Sequence, residues 1–280
     1  MIDYEKLMAY EIPDVRQSYG AREVAFYGLS IGIGQDPMDA NQLRHVGAAP
    51  EVFPTMPLVL GHPGFWLGNP ATGVDASRLV HGEQSLVISA PLPPEGSVIG
   101  RTRVTRIVDK GLGKGALLDA DKELVDAQTG GLYATTRMTV FLRGDGGFGG
   151  PSGIAQRPRA MPERAPDLCH EQSTRPEQAL WYRWNGDGNP LHFDPAVAKA
   201  SGFERPIMHG LCSFAIAAQA VVAGLCGARP DRLRALKARF TAAVVPGERL
   251  RTEMWHDGSF RTVAVERGVM VIGNGYAEVG

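Results

Sequence analysis

Between Trp184 and Pro195 the sequence reads WNGDGNPLHFDP, which puts a carboxylate, a carboxamide and an imidazole close together as Asp187, Asn189 and His192. Gly186, Gly188 and Pro190 are too tightly spaced for a regular helix. The three side chains therefore project from an irregular loop. A carboxylate and an imidazole brought together this way can act as an acid/base pair. A plainer reading stands beside it: Asp and Asn cap a turn, and His192 satisfies backbone groups. Further on, His209-Gly210 opens an apolar stretch. A glycine there leaves a backbone N–H open at the positive end of a helix dipole, which suits an oxyanion. Equally, Gly210 permits close packing beside a strand.

An internal repeat bears on the choice. EVAFYGLSIGIG (23–34) aligns with EQALWYRWNGDG (177–188) at an offset of 154. Pro54-Thr-Met56 aligns with Pro206-Ile-Met208 at 152, and Gly96 with Gly247 at 151. Where the second copy has Asp187, the first has Ile33, and GQDPMD after it has nothing like Asn189 or His192. His209-Gly210 likewise faces Pro57-Leu58. Residues that merely built the fold would be needed in both copies. One polar and one apolar copy read as one active half and one retired half.

The elements that must position these residues follow the repeat. A helix is expected near 21–30 and again near 176–183. LCSFAIAAQAVVAGL (211–225) is apolar almost all round, as a fully buried helix would be. Strand candidates in the first half are QSLVISAPL, SVIGRTRVTRIVDK, GALLDADKELVD and LYATTRMTVFLR. Those in the second are ARFTAAVV, RLRTEMWH, FRTVAVERG and VMVIGNGYAEV. Gly and Pro dominate 144–166, which reads as a linker. The expected units are residues 1–155 and 156–280. Periodicity supports an α+β fold with helix on antiparallel sheet.

The composition excludes several function classes. The chain has 280 residues, 44% hydrophobic and 21% charged, with a formal net charge of −1 and no Lys/Arg run. Attraction to nucleic acid or an anionic membrane is not indicated. Cys169, Cys212 and Cys226 lack metal-like spacing and read as reduced thiols. No Cys/His/carboxylate cluster is evident, so no metal is expected. The start, MIDYEKLMAYEIPDV, has no apolar h-region, no apolar run is long enough to span a bilayer, and the end, GYAEVG, is no peroxisomal address. A cytoplasmic location without membrane attachment is the expectation.

YRWNGDGNPLHFDP, followed by GFERPIMHGL, resembles the signature of the MaoC-like type-2 enoyl-CoA hydratases, including the hydratase domain of peroxisomal multifunctional β-oxidation enzymes. The family loop reads roughly Y-x-L-S-G-D-x-N-P-L-H, with P-I-x-H-G later. VHGEQ, IVDKGLGKGALL and RGDGGFGG extend the resemblance over the first half. Trp184-Asn185 depart from the usual Leu-Ser, and a Gly stands at 188. The resemblance implies a double hotdog, each repeat a long central helix wrapped by an antiparallel β-sheet, with only the second keeping the hydratase loop. It implies an R-specific enoyl-CoA hydratase with Asp187 and His192 as the catalytic pair. Asn189 would hold the loop, and the Gly210 N–H would bind the thioester oxygen. His81, Gly82, Lys110, Pro190, Leu191 and Phe240 would contact the acyl-CoA substrate. No cofactor is expected, CoA being part of the substrate, and a homodimer is expected by analogy. The first repeat would accommodate long or bulky acyl tails. A hotdog thioesterase and a non-catalytic acyl-CoA-binding protein are the alternatives.

Overall fold

The computed structural model describes residues 2–153 and 159–280. The boundary expected between 155 and 156 lies outside the described residues. Helices are α1 (Tyr4–Met8), α2 (Ala21–Ser30), α3 (Ala40–Val46), α4 (Gln178–Tyr182), α5 (Pro195–Ala200) and α6 (Gly210–Gly224). Strands are β1 (Val15–Tyr19), β2 (Leu79–Ile88), β3 (Gly96–Asp109), β4 (Ala116–Asp126), β5 (Leu132–Leu142), β6 (Leu168–Ser173), β7 (Leu233–Phe240), β8 (Arg249–Met254), β9 (Ser259–Ala264) and β10 (Val269–Val279).

All ten strands join one antiparallel sheet in the order β1-β3-β4-β5-β2-β7-β10-β9-β8-β6. Read inward from either edge, the two halves have the same order, so the topology repeats as the sequence does. The halves meet where β2 pairs with β7, Glu83 opposite Arg239 through to Val87 opposite Ala235. Glu83 carries the join beyond the backbone, accepting from Arg239 at 3.0 and 2.5 Å with the Lys237 ammonium at 3.6 Å. β1 and β6, missed in the sequence reading, are the edge strands. They are short and polar in VRQSY and LCHEQS, so the apolar signal is weak. The strand expected in ARFTAAVV instead lies earlier and ends at Phe240.

Helix α6 matches expectation. Its alanine-rich sequence has high helix propensity, and ten of its fifteen residues are buried. Phe214, Ala215 and Ile216 share a core with residues of both half-sheets, among them Leu86, Leu124, Leu236 and Phe260. A second core gathers Leu7, Ile12, Trp66, Val104, Ile107 and Leu118 on the first half-sheet.

The first repeat departs from the expected plan, because among the described residues it has no long central helix. The counterpart of the start of α6 is a single 3-10 turn, Met56–Leu58. The segment PLVLGHPGFWLGNPATG explains it: three prolines and four glycines cannot sustain a long helix. The carbonyls this leaves unpaired are met by Lys122. Its buried Nζ donates to Pro57 O at 2.9 Å, Leu58 O at 3.1 Å and Leu60 O at 2.6 Å. Burial lowers the Lys122 ammonium to about 7.

Candidate active site

Helix α4 tightens into a 3-10 turn, Arg183–Asn185, and stops at Gly186, whose φ of +108° only glycine adopts freely. The chain then reverses through Asp187. The Asp187 Oδ1 accepts the Asn189 N–H at 3.1 Å, and Asn189 Oδ1 accepts the Leu191 N–H at 3.1 Å. Asn189 thereby caps the 3-10 turn Pro190–His192. The capping role considered for these residues is real, and it shapes the loop that carries the pair.

His192 is buried, and its Nδ1 lies 2.8 Å from Ile207 O. A carbonyl only accepts, so Nδ1 carries the proton and Nε2 presents a lone pair. Met208, next along the chain, donates to Val244 O at 2.8 Å. The imidazole is therefore tied to the segment entering α6. His209, 1% exposed, stacks on His192 with ring centroids 3.8 Å apart and planes at 28°. Its Nε2 is 3.4 Å from Asp187 O. Ligand-type atoms of Asp187, His192 and His209 all lie within 4.8 Å of one another. Two hydrogen bonds of about 2.8 Å at a water oxygen span such a gap.

The fold thus assembles a His/His/carboxylate group that sequence spacing did not show. Two buried imidazoles and a carboxylate at this spacing suit proton transfer through a water held between them. Burial lowers the pKa of His192, against the partly restoring Ile207 carbonyl and Asp187 charge. His209 is lowered by burial first and by His192 second. Both shifts favour the neutral imidazole.

Gly210 begins α6, so its N–H has no intrahelical acceptor. A Cβ there would stand 3.4 Å from the Phe240 ring. Phe240 meets His81 edge-on at 4.9 Å. His81 and Gly82 thus bring the first repeat to the site, at a bulge in β2. Burial lowers His81 to about 4. Pro190 is exposed and Leu191 half-buried. Lys110 is exposed in the turn after β3, its N–H on Gly115 O, and makes none of these contacts. Sequence reasoning missed Tyr182 and the position of His209. Tyr182 is fully buried, 4.9 Å from the His209 ring, and its hydroxyl has no partner among the described residues. The contrast of His209 with Pro57 in the other copy was the available signal.

Known proteins match the chain over both repeats. The MaoC like domain matches residues 158–277 and the MFE-2 hydratase 2 N-terminal domain residues 17–144. A peroxisomal enoyl-CoA hydratase 2 of Arabidopsis thaliana is 37% identical, covering 98% of this chain and 94% of its own length. A crystal structure of a MaoC-like dehydratase from Phytophthora capsici superposes with a TM-score of 0.87 at 31% identity, over 100% of this chain and 99% of that one. A Mycobacterium tuberculosis protein with a double hotdog fold superposes with a TM-score of 0.58 at 14% identity, over 96% and 93%. The architecture is a double hotdog.

Proposed function

The chain belongs to the MaoC-like hydratase 2 family, and from that premise we propose that it is an R-specific enoyl-CoA hydratase, converting trans-2-enoyl-CoA reversibly into (3R)-3-hydroxyacyl-CoA. What supports this reading is that ligand-type atoms of Asp187, His192 and His209 lie within 4.8 Å of one another, with Gly210, the next residue, starting α6.

Hydration adds a water oxygen to the β-carbon and a proton to the α-carbon. Asp187 and His192 hold the water between them. Its proton passes to the pair as the C–O bond forms, and the pair returns a proton to the α-carbon. In between, negative charge builds on the thioester oxygen, where the Gly210 N–H stabilises it. Asn189 keeps the loop in shape. His81, Gly82, Pro190, Leu191 and Phe240 wall the substrate, and Lys110 meets the CoA part from the β3–β4 turn. The reaction so written calls for no metal or redox cofactor. Having lost the catalytic loop, the first repeat would accommodate long or bulky acyl tails. A homodimer acting in the cytoplasm belongs to this proposed reading, the dimer by analogy with other hotdog folds. No helix among the described residues is long and apolar enough to cross a membrane.

The test follows loss of ultraviolet absorbance of the enoyl thioester with crotonyl-CoA and a long trans-2-enoyl-CoA. The product is coupled separately to R- and S-specific dehydrogenases. Asp187→Asn and His192→Ala should each lose about 10²–10⁴-fold in kcat. Near-normal turnover in either variant, or S product from the parent, refutes the assignment.

A further inference from the structure

The first repeat's retired loop is bound into the second repeat in an unusual way. Its backbone carbonyls are held by glutamines from the other half. Gln178 Nε2 donates to Ser30 O at 3.3 Å, and Gln219 Nε2 to Ile31 O at 2.8 Å. Gln172 Nε2 donates to Gly32 O at 3.3 Å. These bonds fix the end of α2 as a rigid base. From that base one side chain reaches back. Ser30 is fully buried, and its Oγ donates to Tyr27 O at 2.8 Å. Its hydroxyl proton is thus committed, and its oxygen can only accept. The donor it accepts from is Asn185 Nδ2, at 2.8 Å. The other Nδ2 proton goes to Tyr182 O at 3.0 Å. The carboxamide is pinned by both N–H groups, at the residue just before Gly186 and two before Asp187.

We propose that the Ser30–Asn185 hydrogen bond is a positioning device for the hydratase loop, through which the retired repeat holds Asp187 in its working place. Asn185 is a positioning residue and touches no reacting atom. It stands where the family loop usually has serine, which is shorter and offers a single proton, so the device belongs to this chain. Ile31, the counterpart of Asn185 in the first copy, has no donor to return, so the brace runs one way. This inference rests on the hydratase reading of the loop. Its physical basis is that misplacing a reacting group by about 1 Å costs on the order of 10²-fold in rate.

The experiment compares the parent with Ser30→Ala, Asn185→Ala and the double variant, all as full chains. Steady-state kinetics with a trans-2-enoyl-CoA are measured, together with amide hydrogen exchange over residues 183–193. Each single variant should lose about tenfold or more in kcat with KM within about twofold. The double should be no worse than the worse single, because either single already breaks the Ser30–Asn185 bond. Exchange at the Asn189 and Leu191 amides should quicken in all three while the α6 amides stay as protected as in the parent. Kcat within about twofold of the parent in both singles overturns the proposal, whatever happens to Tm. Unchanged loop exchange overturns it as well, and that readout needs no turnover. A parent without hydratase activity but with the exchange changes would refute the hydratase reading while leaving the brace standing.

Discussion

Acidification should expose the cost of keeping His81 neutral. Burial lowers its folded pKa to about 4, against about 6.5 in an unfolded chain. Between those values the unfolded state binds a proton that the folded state refuses. Stability is therefore intact above pH 6.5 and is lost as pH falls toward 4. At pH 5 the two pKa values make the His81 contribution about 2 kcal/mol, from RT ln of (1 + 10^1.5)/(1 + 10^−1). Other groups titrate over the same range, so one pH curve proves nothing. His81→Phe isolates the effect, because phenylalanine can keep the edge-on contact with Phe240 and loses the ring-nitrogen contacts to Glu83 O at 3.2 Å and to the Gln84 side chain. Urea unfolding of parent and variant at pH 7.5 and pH 5 gives four free energies. The parent should lose about 2 kcal/mol more than the variant on acidification. Equal losses would mean that His81 is protonated in the folded protein at pH 5, and the burial argument would fail.

Two further substitutions test the architecture around the site. Gly210→Val should push the Phe240 ring from its place, because even a Cβ at position 210 would stand only 3.4 Å from it. It should cut kcat/KM at least tenfold with the far-UV circular dichroism unchanged; retained activity would show that the α6 start does not face the thioester. Lys122→Met removes the donor to three buried carbonyls. It should cost on the order of 3 kcal/mol, roughly 6 °C or more in Tm; an unchanged Tm would mean the turn at 56–60 is held by other contacts.

How much could be read from the sequence depended on whether the signal was local. The loop at 184–195 was legible because Gly186, Gly188 and Pro190 settle its backbone within a few residues. Helix α6 was legible because it is apolar on every face. The missing helix of the first repeat was equally local: the prolines and glycines of 57–73 were there to read, and the family resemblance carried a helix across them. Edge strands β1 and β6 were missed because edges carry polar residues. The stacking of His209 on His192, the orphaned Tyr182 hydroxyl and the Ser30–Asn185 bond depend on how α4, α6 and α2 cross. No spacing along the chain reports that.

These crossings explain why one chemistry persists on two repeats. The second repeat holds the loop, the helix start and Phe240, yet each is completed by the first. His81 backs Phe240, Ser30 holds Asn185, and β2 pairs with β7 from Ala235 to Arg239. Alone, the second repeat would present β7 as an unpaired edge, ready to pair with another chain, and would lose both the wall and the brace. A repeat freed from catalysis is still constrained at those three contacts, while the segment between Pro57 and Gly73 is free to give up its helix. On the proposed mechanism the asymmetry divides labour within one sheet: chemistry on one side of the β2–β7 join, and positioning and space on the other.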